Sequence, residues 1–156
     1  MQRLGLTAAA GSAALLAAAL AFQYLGGLAP CPLCIWQRWP HVAAVLLGLV
    51  LLAAPRRGIA ALGALAMLAG AGVAAWHAGI ERGWWPGPIT CTAPDIGGLT
   101  PDELLAQILA APVVRCDEIA WSLLGVSMAG WNAVACLGLA ALWLYAYGSS
   151  SASQYR

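Results

Sequence analysis

The sequence predicts an all-α integral membrane protein, a four-helix bundle with one long extracytoplasmic loop that contains a short amphipathic surface helix. Its 156 residues are 62% hydrophobic and only 8% charged, whereas soluble globular proteins carry about 25% charged residues. All of the acidic residues fall between Glu81 and Glu118, which marks one polar stretch in an apolar chain. The net charge of +1, without a basic patch, argues against a nucleic-acid-binding protein.

Four long charge-free runs locate the membrane spans. They extend over residues 4–37, 39–55, 58–80 and 119–155. Because a helix needs about 20 apolar residues to cross the hydrocarbon core, we predict spans at about 5–28, 36–54, 59–79 and 123–146, in a single membrane domain over 1–156. The prolines lie at or outside the predicted ends, as expected for helices. Lipid tolerates no unpaired backbone, so the spans are expected to pack as a helical bundle.

The first span has a rival interpretation as a cleaved signal peptide, with residues 28–31 as a lipoprotein-like processing site. Its apolar run is longer than the hydrophobic region of a signal peptide. Pro30 also occupies a position where processing requires a small residue. We therefore predict a membrane span.

The distribution of arginine predicts the orientation. Four spans place both termini and the turn at 55–58 on one side, which holds four of the seven arginines: Arg3, Arg56, Arg57 and Arg156. Cytoplasmic segments are enriched in basic residues, so we expect both termini in the cytoplasm. Residues 26–34 and the loop at about 79–120 then face outward and carry four of the five cysteines.

A helix is predicted inside the outer loop. Thr100 suits the N-cap, Pro101 the first helical position, and Glu103 completes a capping box. Pro112 is expected to end the helix, and its apolar residues share one face: Leu104, Leu105, Ile108 and Leu109. We expect this face to lie on the bilayer surface, although a helix packed on the rest of the loop would show the same pattern.

The cysteines are the candidate reactive residues of the chain. Cys31 and Cys34 form a C-x-x-C motif, a spacing that suits redox cycling and metal binding alike. A zinc site from these two with Cys91 and Cys116 is conceivable, but 24 residues (92–115) separate the second pair, unlike the close pairs of zinc ribbons. Outside the cytoplasm an even set of cysteines favours disulfides. The rival interpretation, two static bridges, fits Cys91 and Cys116 better than the short ring of Cys31 and Cys34.

Two features near Cys34 favour a reactive thiolate. It is expected at the N-terminal end of the second span, where the helix dipole favours an anion. Arg38 follows one turn later on the same face, although arginine at a membrane edge also snorkels to water without a chemical role.

Polar residues inside the spans are further candidates. His77 lies near the outer end of the third span, where it could donate a hydrogen bond or a proton to a redox carrier, or simply pair with Glu81. His41 could extend the polar face of Arg38. Cys136, mid-span and without an evident partner, is predicted to be an inert core residue.

The chain resembles the disulfide bond formation protein B (DsbB) family. The resemblance rests on Cys31-Pro-Leu-Cys34-Ile-Trp-Gln-Arg38, on the stretch from His77 through Glu81 to Cys91, and on Cys116, in the same order over nearly the whole chain. Glu81 stands where better-known members are expected to have Gln.

The resemblance implies an enzyme of the bacterial inner membrane, a thiol oxidase with periplasmic cysteines. It would re-oxidise a thioredoxin-like dithiol protein of DsbA type and pass the electrons to ubiquinone or menaquinone. It also implies that Cys91 forms the mixed disulfide with the partner, that Cys116 is its mate, and that Cys31 bridges transiently to Cys116. Cys34 would meet the quinone ring, with Arg38 near a quinone carbonyl and His77 beside the same pocket.

Two other functions are compatible with the same residues. A related quinone-linked thiol reductase, or an enzyme like an epoxide-quinone reductase, would share the spacing, since reduction potentials set the direction of electron flow. A four-helix membrane subunit stapled by static disulfides would share the cysteines without the chemistry.

Overall fold

The computed structural model describes residues 1–88, 91, 100–110 and 114–152. Within them, four helices are long and apolar enough to cross a membrane, which confirms the predicted number of spans. These segments are Gln2–Tyr24, Pro32–Ala53, Arg57–Glu81 and Met128–Ser149. The helices, in chain order, are α1 (Gln2–Tyr24), α2 (Pro32–Trp36), α3 (Arg38–Ala53), α4 (Arg57–Glu81), α5 (Pro101–Ala110) and α6 (Met128–Ala152).

The second span begins earlier than predicted and is built from α2 and α3. Pro32 occupies the first turn of α2, and Cys31 caps it, so the helical segment starts at the C-x-x-C motif itself rather than at residue 36. A one-residue break at Gln37 separates the two helices, although its backbone keeps helical angles (φ −66°, ψ −18°). The first span ends earlier than residue 28, because Gly27 adopts the left-handed conformation (φ 68°) that follows a helix end.

The fourth span begins later than predicted, at Met128 rather than 123. The preceding residues form a small antiparallel hairpin of β1 (Ser122–Leu123) and β2 (Val126–Ser127), which the all-helical prediction lacked. Leu124 (φ 53°) and Gly125 (φ 75°) occupy the two turn positions. Two successive positive φ angles are those of a type I′ turn, whose twist matches that of a two-stranded hairpin.

The spanning helices pack as a ring in which α1 contacts α3 and α6, and α4 contacts α3 and α6. Trp143 of α6 is fully buried at one end of this bundle. The helices approach it closely because small residues face the indole: a Cβ added at Gly63 would lie 2.4 Å from the ring, and one at Gly5 2.9 Å. The outer faces remain apolar, with leucines such as Leu46, Leu49 and Leu65 more than half exposed, as expected for contact with lipid.

The loop helix α5 is present with its predicted cap. The backbone N–H of Thr100 donates to Glu103 Oε2 (2.8 Å), and the N–H of Glu103 donates to Thr100 Oγ1 (3.4 Å), the reciprocal pattern of a capping box. Its apolar side chains are exposed, including Leu105 (56%), Ile108 (62%) and Leu109 (78%). The predicted stop at Pro112 lies outside the described residues.

Candidate functional site

Cys31 lies at the start of the second span. It is the N-cap of α2, and its Sγ accepts a hydrogen bond from the backbone N–H of Cys34 (3.1 Å), which satisfies one of the free donors at the helix terminus. Both cysteines of the motif are free thiols, Cys31 buried and Cys34 partly exposed. A hydrogen bond with the Cys34 side chain, and then burial, raise the pKa of the Cys31 thiol.

The second cysteine pair forms a disulfide beside this motif. Cys91 and Cys116 are bonded, with a Cα–Cα distance of 5.3 Å, and both are buried. Together with Cys31, Leu33 and Ile80 they form one apolar cluster at the outer ends of α2 and α4. The four cysteines that the sequence predicts as catalytic therefore meet in one place, as a dithiol against a disulfide.

His77 joins the two pairs. Its Nε2 lies 3.6 Å from Cys31 Sγ and 3.2 Å from the carbonyl oxygen of Cys116, and its Nδ1 lies 2.6 Å from Gln37 Nε2. The Cys31 sulfur, the Cys116 sulfur and a ring nitrogen of His77 all lie within 4.8 Å of one another. The predicted pair with Glu81 is looser, at 4.0 Å from Nε2 to Oε1. The ring thus has hydrogen-bond partners on both of its nitrogens.

A cavity of about 430 Å³ opens beside the dithiol. One part of its wall is apolar and comes from α1, including Leu15 and Phe22. The polar and thiol side chains in the wall are Cys31, Cys34, Gln37, Arg38, His41, His77, Glu81, Arg115, Glu118 and Asn132. Arg38 Nη1 donates to Gln23 Oε1 on α1 (2.8 Å), so a partner inside the protein holds the guanidinium at the cavity. A mostly apolar pocket with a few polar groups is typical of a site for an apolar ligand.

The hydrogen bonds that connect the polar side chains along the cavity wall were not predicted. Gln37 Oε1 accepts from Asn132 Nδ2 (2.8 Å), and His41 Nε2 lies 3.0 Å from Asn132 Oδ1. Cys136 is a free thiol buried in the core, as expected, and its Sγ lies 3.5 Å from His41 Nε2. Asn132 is the only asparagine of the chain and lies within the last charge-free run. A polar amide inside a predicted span is a sequence signal that could have identified it as a candidate site residue.

The four-cysteine zinc site that the sequence left open does not fit this covalent state. Zinc binds cysteine as thiolate. Cys91 and Cys116 are bonded to each other, so neither offers a thiolate. The arrangement instead provides what thiol–disulfide exchange requires, a free thiol close to a disulfide sulfur.

Comparison with known proteins identifies the family. The family model for disulfide bond formation protein DsbB matches residues 1–146. The chain belongs to the DsbB family. Curated relatives support this assignment at similar length. The Disulfide bond formation protein B of Polaromonas naphthalenivorans (strain CJ2) is 36% identical over 156 residues, which is 93% of this chain and 91% of that protein.

Two further relatives agree. The protein of the same name from Stutzerimonas stutzeri (strain A1501) is 33% identical over 146 residues, 86% of this chain and 87% of the relative. That of Methylococcus capsulatus (strain ATCC 33009 / NCIMB 11132 / Bath) is 39% identical over 139 residues, 83% of each. The chain is thus a multi-pass membrane protein of the DsbB family.

Proposed function

We propose that this DsbB-family protein re-oxidises a periplasmic thioredoxin-like dithiol protein of DsbA type and passes the electrons to a membrane quinone. The observation that carries the proposal is the contact between the two cysteine pairs, with the Cys31 and Cys116 sulfurs within 4.8 Å of each other. Static structural bridges do not need a free dithiol beside them. A relay of electrons between two pairs does, because each transfer is an attack of a thiolate on a neighbouring disulfide.

The exchange begins at the outer disulfide. A thiolate of the partner attacks Cys91, which forms a mixed disulfide and leaves Cys116 as thiolate. Cys116 then attacks Cys31 of the oxidised C-x-x-C motif, which forms the Cys31–Cys116 bond and leaves Cys34 as thiolate. The second thiolate of the partner releases the partner as a disulfide and leaves Cys91 as thiolate. All steps are thiol–disulfide exchanges, so no electrons leave the set of sulfurs.

A last exchange restores the outer disulfide. The Cys91 thiolate attacks Cys116, the Cys31–Cys116 bond breaks, and its electron pair goes to the Cys31 sulfur. The product has a Cys91–Cys116 disulfide and a Cys31, Cys34 dithiol, which is the covalent state described above. The two electrons taken from the partner then reside on the C-x-x-C motif, at the edge of the cavity.

The cavity supports quinone as the acceptor. A bound quinone supplies a site that takes up two electrons and two protons. A volume of about 430 Å³ is within the range of pockets for small ligands, and its wall on α1 is apolar, as an isoprenoid-type molecule from the bilayer requires. Cys34 reaches the cavity from the dithiol side. The Glu81 carboxyl Oε2 is buried there without a hydrogen-bond partner among the described residues.

The positions of two predicted ligand residues support this role. Arg38 lines the cavity, as Cys34 does, and its guanidinium donates a hydrogen bond to Gln23. A guanidinium at that place would donate to a carbonyl of the quinone and stabilise the negative charge that develops on it. His77 also lines the cavity and contacts the Cys31 sulfur, so it would border both the dithiol and a quinone bound in the cavity.

The proposal includes the orientation in the bacterial inner membrane. With both termini in the cytoplasm, the cysteine cluster and α5 lie on the periplasmic side, where the partner is. The exposed apolar face of α5 supports a position on the bilayer surface, because no such face would be stable in water. A helix at that place would keep Cys91 and Cys116 close to the membrane edge.

Thiol trapping in cells tests the proposal. In a Cys116→Ala variant Cys91 is a free thiol, and its thiolate can attack the disulfide of an oxidised partner, which forms the Cys91–partner bond and leaves one partner sulfur as thiolate. We expect this mixed disulfide to accumulate, since the sulfur that would pair with Cys91 is absent. A Cys136→Ala variant should not accumulate it, because Cys136 is remote from both pairs. Absence of any mixed disulfide in the Cys116→Ala variant, with all four outer sulfurs of the wild type permanently oxidised, would identify static disulfides instead.

The direction of electron flow needs a second measurement. In a deletion strain the partner should accumulate in its dithiol form. Accumulation of the disulfide form would instead identify a thiol reductase, for which the same cysteine spacing would serve.

A further inference from the structure

Four side chains, three of them buried and the fourth, Asn132, partly buried, form a hydrogen-bonded chain from the cysteine cluster into the bundle. It begins at His77 on α4, continues through Gln37 between α2 and α3 and Asn132 on α6, and ends at His41 on α3. The successive distances are 2.6 Å, 2.8 Å and 3.0 Å. His77 (2% exposed), Gln37 (6%) and His41 (3%) are all buried. A polar side chain buried in a membrane bundle destabilises the fold unless it is hydrogen-bonded. Each of these hydrogen bonds therefore offsets the burial cost of the two side chains that it connects.

The hydrogen-bonded side chains have a fixed order of donors and acceptors, because a side-chain amide has a donor NH2 group on one side and an acceptor oxygen on the other. Gln37 offers its NH2 group to His77 Nδ1 and its oxygen to the NH2 group of Asn132. Nδ1 of His77 is therefore an acceptor, and the single proton of the neutral ring is on Nε2. That N–H points toward Cys31 Sγ at 3.6 Å and the Cys116 carbonyl oxygen at 3.2 Å.

The opposite direction is disfavoured at the Cys116 carbonyl. If both amides turned over, Gln37 would accept from Nδ1–H of His77, and Nε2 would carry a lone pair. That lone pair would face the Cys116 carbonyl oxygen at 3.2 Å, an acceptor against an acceptor. The direction with a proton on Nε2 has a donor at this contact, so the carbonyl of Cys116 selects it.

His41 completes the far end of the chain. In the selected direction Asn132 presents its oxygen to His41, whose Nε2 must carry a proton to donate to it. His41 Nδ1 is buried and has no hydrogen-bond partner among the described residues, which suits a neutral ring that is unprotonated there. Cys136 is the titratable group that faces His41, while Cys31 and Glu81 face His77.

We propose that Gln37, Asn132 and His41 are positioning residues that keep the proton of His77 on Nε2 and aim it at the Cys31 sulfur. This inference deepens the proposed function at one step. When Cys91 attacks Cys116 and the Cys31–Cys116 bond breaks, the electron pair goes to Cys31 Sγ. The N–H groups of His77 and Cys34 then both donate to the developing thiolate, which lowers its free energy.

The tautomer of His77 can be measured without partner or quinone. We would label histidine with ¹⁵N in the full-length protein in nanodiscs and read the ring nitrogens by long-range ¹H–¹⁵N correlation. The wild type should show His77 protonated on Nε2. Asn132→Leu interrupts the hydrogen-bonded chain and leaves Gln37 free to turn over, so that only the Cys116 carbonyl still favours Nε2–H, and a measurable part of the His77 population should move its proton to Nδ1.

The second readout is the reactivity of the Cys31 thiol. In a Cys34→Ser background with the outer disulfide intact, we would follow alkylation of Cys31 by a small reagent at fixed pH. Complete loss of one hydrogen bond to a thiolate would slow alkylation by about tenfold, so the Asn132→Leu variant should be slower by a factor between one and ten that follows the fraction of His77 that has moved its proton. Cys136→Ala is the matched control. The Cys136 Sγ lies 3.5 Å from His41 Nε2 and 3.9 Å from Asn132 Oδ1, but its removal leaves the hydrogen bonds of Asn132 with Gln37 and His41 in place, so both readouts should match the parent protein.

The outcomes separate the alternatives. An unchanged His77 tautomer in Asn132→Leu overturns the proposal, whether or not alkylation slows, and so does a changed tautomer with unchanged alkylation. If that variant does not fold, His41→Phe removes the donor at the far end, and the same two shifts are expected, smaller in size. Failure of the protein to oxidise a dithiol partner with quinone would overturn the proposed function and leave the tautomer result standing, so the two failures are distinguishable.

Discussion

The sulfurs of Cys31 and Cys116 lie within 4.8 Å of each other, in contact with the ring of His77. One belongs to the N-cap of a spanning helix and the other to a disulfide of the outer loop. Exchange between the two pairs therefore requires only a small shift of one sulfur toward the other. A substitution that removes one of the four sulfurs should therefore block the thiol–disulfide exchange in which that sulfur takes part.

Cys34→Ser should abolish quinone reduction. Both cysteines of the dithiol line the cavity and Cys34 is the more exposed of the two, and serine cannot form the disulfide that completes oxidation of the motif. The measurement is quinone absorbance in the presence of the reduced partner and purified protein. Cys136→Ala, a buried thiol away from both pairs, should retain the wild-type rate. Retained quinone reduction in Cys34→Ser would contradict the assigned electron path.

Arg38→Met should weaken quinone binding selectively. Loss of one charge-assisted hydrogen bond corresponds to about a tenfold increase in the apparent KM for quinone. The KM for the partner should stay unchanged, because Arg38 contacts Gln23 and the cavity rather than the outer disulfide. Steady-state kinetics with each substrate varied in turn checks this. An unchanged response to quinone would show that Arg38 only anchors the helix at the membrane edge.

Gly63→Ala should destabilise the bundle. The added Cβ would lie 2.4 Å from the Trp143 ring, which is fully buried and has little room to move. Overpacking of this kind costs about 1–3 kcal/mol. Thermal unfolding in detergent measures it. Gly72→Ala on the same helix is the control, since its Cβ would meet no atom within 4 Å. Equal melting temperatures for the two variants would rule out tight packing at Trp143.

The first turn of α5 should depend on pH. Hydrogen bonds from the Thr100 hydroxyl and then its backbone N–H lower the pKa of the Glu103 carboxyl. A lowered folded-state pKa means that the cap stabilises α5 above the unfolded pKa of Glu, about 4.3. That stability is lost as the pH falls through the folded pKa.

Hydrogen exchange, corrected for the intrinsic rate at each pH, measures this dependence. The wild type should be better protected than Glu103→Gln at neutral pH, and the difference should vanish in acid. A difference that persists in acid would show that the charged carboxylate is not what stabilises the turn.

Several features could be predicted from local sequence. Charge-free runs of sufficient length indicate spans whatever their neighbours, and the capping box of α5 depends only on Thr100 and Glu103. The hairpin before α6 was missed because Leu124 takes a positive φ, a conformation for which leucine gives no sequence signal. The start of α2 at Pro32 was missed because hydropathy reports the apolar run rather than the cap at Cys31.

The sequence by itself determined the class of protein, the number of spans and which cysteines, arginine and histidine could carry chemistry, because composition, run length and motif spacing are local properties. Only the tertiary structure decided that Cys31 and Cys116 meet at His77, and that Gln37, Asn132 and His41 connect behind it. These residues come from the outer loop and three different spans. Their contacts depend on how the helices are rotated and packed, which no single helix specifies.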